Sequence, residues 1–399
     1  MGAHSQIEPA GLAERSGILH PREGDSARIE AYIPSPCVQN HAANLAVLGN
    51  GDLACVWFGG TQEGIPDISV YCSRLAKGAE RWSVPEKLSD DPTRSEQNPI
   101  LFTTPQGELW LIWTAQISGN QDTALVRKRV SRDHGASWGL IETLFEAPQG
   151  HGLFVRQPPL FLDDGAWVVP VFHCVSVPGQ KWVGDRDVSA VRVSADQGRT
   201  WTEHLVPDSL GCVHMNVLKT PQGLVALYRS RWADSIYLSR SVDGRAWSAP
   251  EPTDLPNNNS SIQATVLADG RIALVFNASS RADATDRRLG LYDDIEDDAP
   301  AAASAAPAEI FEKTAFWGAP RAPMTLALSA DGGRNWPIRR NLEIGDGYCM
   351  TNNSKDGLNR EFSYPSITQT PDGDLQIAFT YWRRAIKHVR VAPDWAQRG

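Results

Sequence analysis

An eight-residue pattern that recurs along this chain constrains its fold more than any other feature. Ser131-Arg-Asp133-His-Gly135-Ala-Ser-Trp138 reads Ser-x-Asp-x-Gly-x-x-Trp, and the stretches from Ser194 to Trp201 and from Ser329 to Trp336 repeat it in full. Ser241 to Trp247 is the same pattern one residue short, and Arg81-Trp82-Ser83 is a degraded copy. Each copy has a physical reading. A strand ends at Ser, the Asp carboxylate bonds the backbone of its own turn, Gly supplies a positive φ, and Trp folds back between neighbouring sheets.

A second repeat runs out of phase with the first. Polar turns at Gly51, Gly107, Gly165, Gly223, Gly270 and Gly373 each separate two apolar, strand-like runs, such as 100–103 and 109–113. A third run then leads into the Trp turn. Strand, Gly turn, strand, loop, strand, Trp turn is one antiparallel blade, and six such units fit the chain. Radial repetition of blades predicts an all-β, six-bladed propeller. The last unit has three evident strands, so a strand near 28–33 is expected to complete it, close the ring and remove two exposed edges. The expected organisation is an N-terminal arm over 1–27 and one propeller over 28–399.

The fifth blade is interrupted over 278–320. Residues 293–298 are acidic and 299–307 are Ala/Pro-rich. That composition reads as a solvated loop, with a lid as the alternative and 311–317 as a short docking helix.

Composition narrows the function classes. The chain is 41% hydrophobic with 14 Trp, enough for a large core, and its net charge of −9 comes with no dense Lys/Arg cluster, so no nucleic-acid face is expected. No apolar run reaches membrane-spanning length. Residues 1–27 lack the apolar core of a secretory signal, and the six cysteines show no metal spacing. Cys55 and Cys72 lie in strand-like runs and read as reduced core thiols, which points to a cytoplasmic protein. No metal site, phosphate loop or nucleotide fingerprint stands out, so no cofactor is expected.

A propeller builds its site where the innermost strands converge on the axis. The residues leading into those strands are Asn40-His41, Glu96-Gln97-Asn98, Arg156-Gln157, His214-Met215-Asn216, Asn257 to Ser260 and Arg360-Glu361 to Tyr364. Loops after the second strands add Glu63, Asp67, Arg229, Arg231, Asn277, Tyr381 and Arg383. Polar groups ahead of every apolar inner strand argue for a polar axial site rather than for solubility.

The Ser-x-Asp-x-Gly-x-x-Trp repeats at blade spacing are those of the Asp-box, and from about Ile29 to Val391 the chain resembles the sialidase-like superfamily. The resemblance implies an axial active site, boxes on the rim away from the chemistry, and an acidic oligosaccharide or glycoside as substrate. Arg229 and Arg321 match the second and third arginines that hold the substrate carboxylate, a guanidinium fitting a carboxylate as a two-point fork. Arg156 is a weaker third, and Arg231, Gln97, Asn98, Asn259, Tyr381 and Arg383 are further candidate substrate contacts. Tyr364 matches the nucleophilic tyrosine, used where an anionic substrate would repel a carboxylate. Asp67 matches the general acid, with Glu63 as its competitor.

Two departures stand beside these matches. Tyr32-Ile33-Pro34 occupies the place of an Arg-Ile-Pro, and His214-Met215-Asn216 stands where a glutamate would activate the tyrosine. Three readings therefore follow. The first is an exo-glycosidase cleaving at a carboxylate-bearing sugar. The second is a lyase eliminating at a uronic acid, such as a rhamnose–glucuronate linkage, with His41 or His214 as base beside Tyr364. The third is a glycan-binding propeller without catalysis.

Overall fold

A computed structural model describes residues 9–177, 181–288, 290–292, 295 and 313–398. Among them the strands form six antiparallel sheets in consecutive order around a ring. The first blade comprises Gln39–Val47, Leu53–Gly60, Ser69–Leu75 and Glu86–Lys87. The second comprises Arg94–Thr103, Leu109–Ile117, Leu125–Ser131 and Glu142–Phe145. In the third, Trp167–Val175 pairs with both His151–Phe154 and Leu160–Phe161 on its inner side, and Val188–Ser194 and Thr202–Leu205 follow outward. The fourth comprises Cys212–Thr220, Gly223–Ser230, Ser235–Ser241 and Glu251–Pro256. The fifth comprises Gln263–Val266, Ile272–Asn277, Met324–Ser329 and Ile338–Glu343.

The sixth blade closes the ring as the sequence predicts. Phe362–Gln369, Leu375–Tyr381 and Ala385–Val391 are followed outward by Asp25–Tyr32 from the other end of the chain, paired antiparallel with Ala385–Val391. Four buried charges fasten this closure to the fifth blade: Arg28 and Lys387 both hold Glu30 and Glu343. Removing one member of such a set would strand a buried charge, at a cost of about 3–5 kcal/mol.

Every blade shares an apolar core with the next. Leu45, Leu53 and Cys55 of the first blade meet Ala378 and Ile386 of the sixth, and Leu227 and Val225 of the fourth meet Ile272 and Leu274 of the fifth. The Asp-boxes sit at the outer turns and fill these seams. In the fifth-blade box Ser329 Oγ bonds Asp331 Oδ1 at 2.9 Å, Asp331 accepts from the Arg334 and Asn335 amides, and the Trp336 indole donates to Gly333 O at 3.2 Å. Trp336 then lies buried among fourth- and fifth-blade residues. The boxes are structural, remote from the axis.

Two expectations need correction. The described part of the N-terminal arm is not loose: Leu12 is buried in the core, Gly17 N–H donates to Tyr32 O, and His20–Arg22 adds a fifth strand to the closing blade. The insertion in the fifth blade is not simply a solvated loop either. Its acidic and Ala/Pro-rich middle falls almost entirely outside the described residues. Its flanks, however, carry Leu291, Tyr292, Ala315 and Trp317, all buried against Phe154, Phe172, Trp182 and Val213 of the third and fourth blades. Polar averages over the segment hid these apolar flanks. Residues 313–317 form no helix, and Trp317 pairs with Arg288 as an isolated bridge, while 311–312 fall outside the described residues.

All six cysteines are free and buried. Among the described residues no helix is long and apolar enough to cross a membrane, and no group of three or more His, Cys, Asp or Glu side chains could hold a metal ion.

Candidate active site

The axial ends of the inner strands are bent by bulges. Register slips between His41 and Asn44, Gln97 and Ile100, Val213 and Asn216, and Ser363 and Ser366. At each slip a non-glycine residue takes a left-handed φ: Ala42 at 60°, Asn98 at 52°, His214 at 55° and Tyr364 at 50°. Asn259 does the same at 57° just before the fifth inner strand. This conformation is costly for residues with a side chain and persists where the surrounding sheet over-determines it, typically at functional sites. Here it re-aims side chains out of the pleat towards the axis.

Tyr364 is the centre of the resulting cluster. Arg229 Nη1 donates to its phenol oxygen at 2.6 Å. The guanidinium carbons of Arg156, Arg229 and Arg321 lie 5.4, 5.6 and 5.7 Å from its ring centre. The His41 ring packs on it at 4.2 Å and the His214 ring meets it edge-on at 5.6 Å. Tyr364 is 5% exposed and Arg229 1%, so this chemistry is screened from bulk water.

The arginines divide by partner. Arg321 donates to Glu361 at 3.1 Å, and Arg383 donates to Glu361 at 2.7 Å and also to Glu63. Arg231 donates through Nε and Nη2 to Asp187 Oδ2, at 2.9 and 2.7 Å. Arg156 bonds the carbonyls of Ala43, Tyr364 and Pro365, which makes it a strut of the axis; burial pushes its pKa down to about 10. Arg229, like Arg156, has no carboxylate partner among the described residues, but it bonds the Tyr364 phenol rather than backbone carbonyls. Its Nε donates to Asn259 Oδ1, its Nη1 serves Tyr364 and His214, and its Nη2 has no acceptor among the described residues. With no carboxylate beside it, burial lowers its pKa to about 9 even though the Tyr364 hydroxyl works the other way.

Glu361 is fully buried. Burial alone would raise its pKa, but Arg321 and Arg383 more than offset this and hold it below the usual value. His41 and His214 go the other way. Burial first, then the surrounding arginines, lower both well below the ordinary imidazole value, so both rings are neutral.

Other residues read from the sequence fall elsewhere. Asp67 is exposed, and its carboxylate accepts from the backbone and hydroxyl of Thr61. Glu63, four residues earlier, is buried on Arg383. Tyr381 faces away from the site: strand alternation sends Thr380 to His41 and Tyr381 into the seam between the fifth and sixth blades, beside Tyr32 and Phe362. Arg231 is an anchor for the insertion, flanked by Trp182 and Trp317 with its ring contacts at 5.2 Å each and its carbonyl receiving the Phe316 amide. Asn259 holds the same segment through Phe316 O, and Asn98 is buried at its bulge.

Gln97 does not stand open at the axis. With Gln116 and Gln121 it donates to the hydroxyl of Tyr292, at 3.4, 3.1 and 3.1 Å. Tyr292→Phe would leave three buried amides without that acceptor, at a cost of roughly 1–3 kcal/mol. A lowered urea midpoint with an unchanged slope would register it.

Thr380 and Tyr292 were not singled out from the sequence, Glu361 was named at the sixth entry without a role, and Trp317 was named only within the expected docking helix. Glu361 had a visible signal, lying in the polar stretch ahead of the sixth inner strand. Thr380 had none, since it lies within an apolar strand run.

A six-bladed ring with Asp-box turns and a buried tyrosine among arginines at its axis defines a sialidase-like propeller. Residues 51–377 match the BNR repeat-like domain, and the chain belongs to that family. No curated protein matches it. Among solved structures, the Hadza microbial sialidase Hz136 superposes with a TM-score of 0.64 at 14% identity, over 90% of this chain and 66% of that one. A protein of unknown function from Dyadobacter fermentans gives 0.64 at 16% identity, over 90% and 97%. Leech intramolecular trans-sialidase gives 0.62 at 12% identity, over 91% and 69%. The chain thus spans about two thirds of the length of these sialidases. At such identities the likeness is one of fold.

Proposed function

We propose that this chain is an enzyme that hydrolyses a terminal glycosidic bond at a carboxylate-bearing sugar, with Arg229 receiving the carboxylate and Tyr364 serving as nucleophile or charge stabiliser. One observation carries the reading. Arg229 is a buried guanidinium with no carboxylate partner among the described residues, and it is bonded directly to the phenol of Tyr364. A desolvated cation of this kind is costly by itself and becomes favourable when an anionic ligand pairs with it. Arg321, whose Nε lacks an acceptor among the described residues, offers the second donor. Of the two candidates for the leaving-group proton, Glu63 is held by Arg383, which leaves Asp67 on the exposed loop of the first blade.

The test is incubation with a panel of sialosides and uronic-acid oligosaccharides, following product mass and ultraviolet absorbance together. Addition of water without absorbance is the expected outcome. An unsaturated product would replace hydrolysis by elimination, and binding without turnover would leave a glycan-binding propeller.

A further inference from the structure

We infer that His41 and His214 serve this axial site as neutral hydrogen-bond donors locked in opposite tautomers, His41 presenting Nε2–H and His214 presenting Nδ1–H. The assignment follows from what each ring touches. His214 Nε2 lies 3.4 Å from Arg229 Nη1. A guanidinium only donates, so Nε2 must accept, and the proton of the neutral ring sits on Nδ1. His41 Nδ1 lies 2.8 Å from Thr380 Oγ1, which already accepts from the Ala42 amide at 3.2 Å. The hydroxyl proton of Thr380 then has one acceptor among the described residues, His41 Nδ1. Glu361 Oε1, at 3.9 Å, is out of hydrogen-bond reach of that nitrogen. His41 therefore carries its proton on Nε2.

Both outward atoms, His41 Nε2 and His214 Nδ1, are buried without an acceptor among the described residues, as are Arg156 Nη1, Arg229 Nη2 and Arg321 Nε. Five unpartnered atoms thus lie on the side chains that surround Tyr364, and with these tautomers all five are donors. A buried donor without a partner is expensive, so the complementary ligand presents acceptors. Carboxylate, ring and glycosidic oxygens fit, whereas an ammonium or another donor does not. The neutrality of both rings, enforced by burial and by the arginines around them, agrees with this role. Neither ring offers a lone pair to a substrate proton: that of His41 faces Thr380 and that of His214 faces Arg229. The role of base that the sequence suggested for them under elimination is thereby closed, and Thr380 becomes the residue that positions His41.

This inference rests on the axial site being the substrate site, but its test needs no substrate. The full chain would be labelled with ¹⁵N-histidine, and the protonated and unprotonated ring nitrogens read from two-bond ¹H–¹⁵N correlations, with His41→Gln and His214→Gln used for assignment. The expected spectrum shows His214 protonated at Nδ1 and His41 at Nε2, each ring neutral near pH 7. In Arg229→Met, which removes the donor to His214, the tautomer ratio of that ring should move roughly fivefold or more towards Nε2–H. A wild-type spectrum with His214 protonated at Nε2, His41 at Nδ1, or either ring cationic would overturn the inference. The wild-type spectrum decides even where a variant fails to fold. Correct tautomers without turnover of any acidic glycoside would contradict the proposed activity and leave this assignment standing.

Discussion

Tyr364→Phe is expected to lower kcat on an acidic glycoside roughly 10³-fold while the protein keeps its fold, because it deletes the one oxygen the site is arranged around. The ring would still pack on His41 and between the arginines, so apolar contact is preserved. What disappears is the acceptor for Arg229 Nη1, 2.6 Å away. The substrate carboxylate can take up that donor in the complex, so KM should change far less than kcat. Steady-state kinetics on the purified variant separates the two. A variant that keeps kcat within about tenfold of wild type would remove Tyr364 from the chemistry, since a covalent or charge-stabilising group cannot be that dispensable.

Glu361→Gln is expected to cost about 3–5 kcal/mol of stability, because one buried carboxylate neutralises two buried arginines. Glu361 accepts from Arg321, Arg383 and the Ser363 hydroxyl, and is inaccessible to water. An amide of the same shape keeps the packing but leaves Arg321 without a carboxylate and Arg383 with Glu63 alone. The same pair sets a pH dependence. The folded-state pKa of Glu361 lies below its ordinary 4.5 despite burial, so its contribution is fully present above that value and is lost as pH falls through the lower folded value. Urea unfolding of the wild type between pH 6 and 3 should therefore steepen towards acid, and the Gln variant should start lower and depend less on pH. Equal midpoints at pH 7 would mean that Glu361 is not the counter-charge of these arginines.

The repeat structure was legible in the sequence because it rests on local chemistry. Asp331 and Gly333 make the same turn wherever they stand, and Trp336 has only a seam to fill. The closing strand was legible because the sixth blade lacked one strand and the chain had one unassigned. The inner strands were read as starting several residues late. Asn44 looks like the beginning of its strand because the bulge at His41–Asn44 breaks the alternation ahead of it, although pairing continues back to Gln39. The same bulges hid the fact that the polar residues at the axis are strand residues.

Partner choice was the least legible feature. Arg229, Arg231, Arg321 and Arg383 look alike in sequence, and only three-dimensional pairing assigns Asp187 to Arg231 and Glu361 to Arg321 and Arg383. Those carboxylates lie 22 to 44 residues from their arginines. No local rule connects groups at such separations. Tyr292 was overlooked for a different reason, since the acidic stretch beside it dominated the average of its segment.

Arg229 is proposed to receive the carboxylate of an acidic sugar at Tyr364. This role is tested most directly by the thermal shifts that N-acetylneuraminate, D-glucuronate and D-galacturonate produce, each set against its methyl ester, in the wild type and in Arg229→Met. A ligand that binds only the folded state raises Tm in proportion to its occupancy, so the shift reports affinity without requiring turnover. At least one free acid should stabilise the wild type, its ester should do so far less, and Arg229→Met should lose the difference. Equal shifts from acid and ester, no shift from any acid, or a shift undiminished in Arg229→Met would contradict this role.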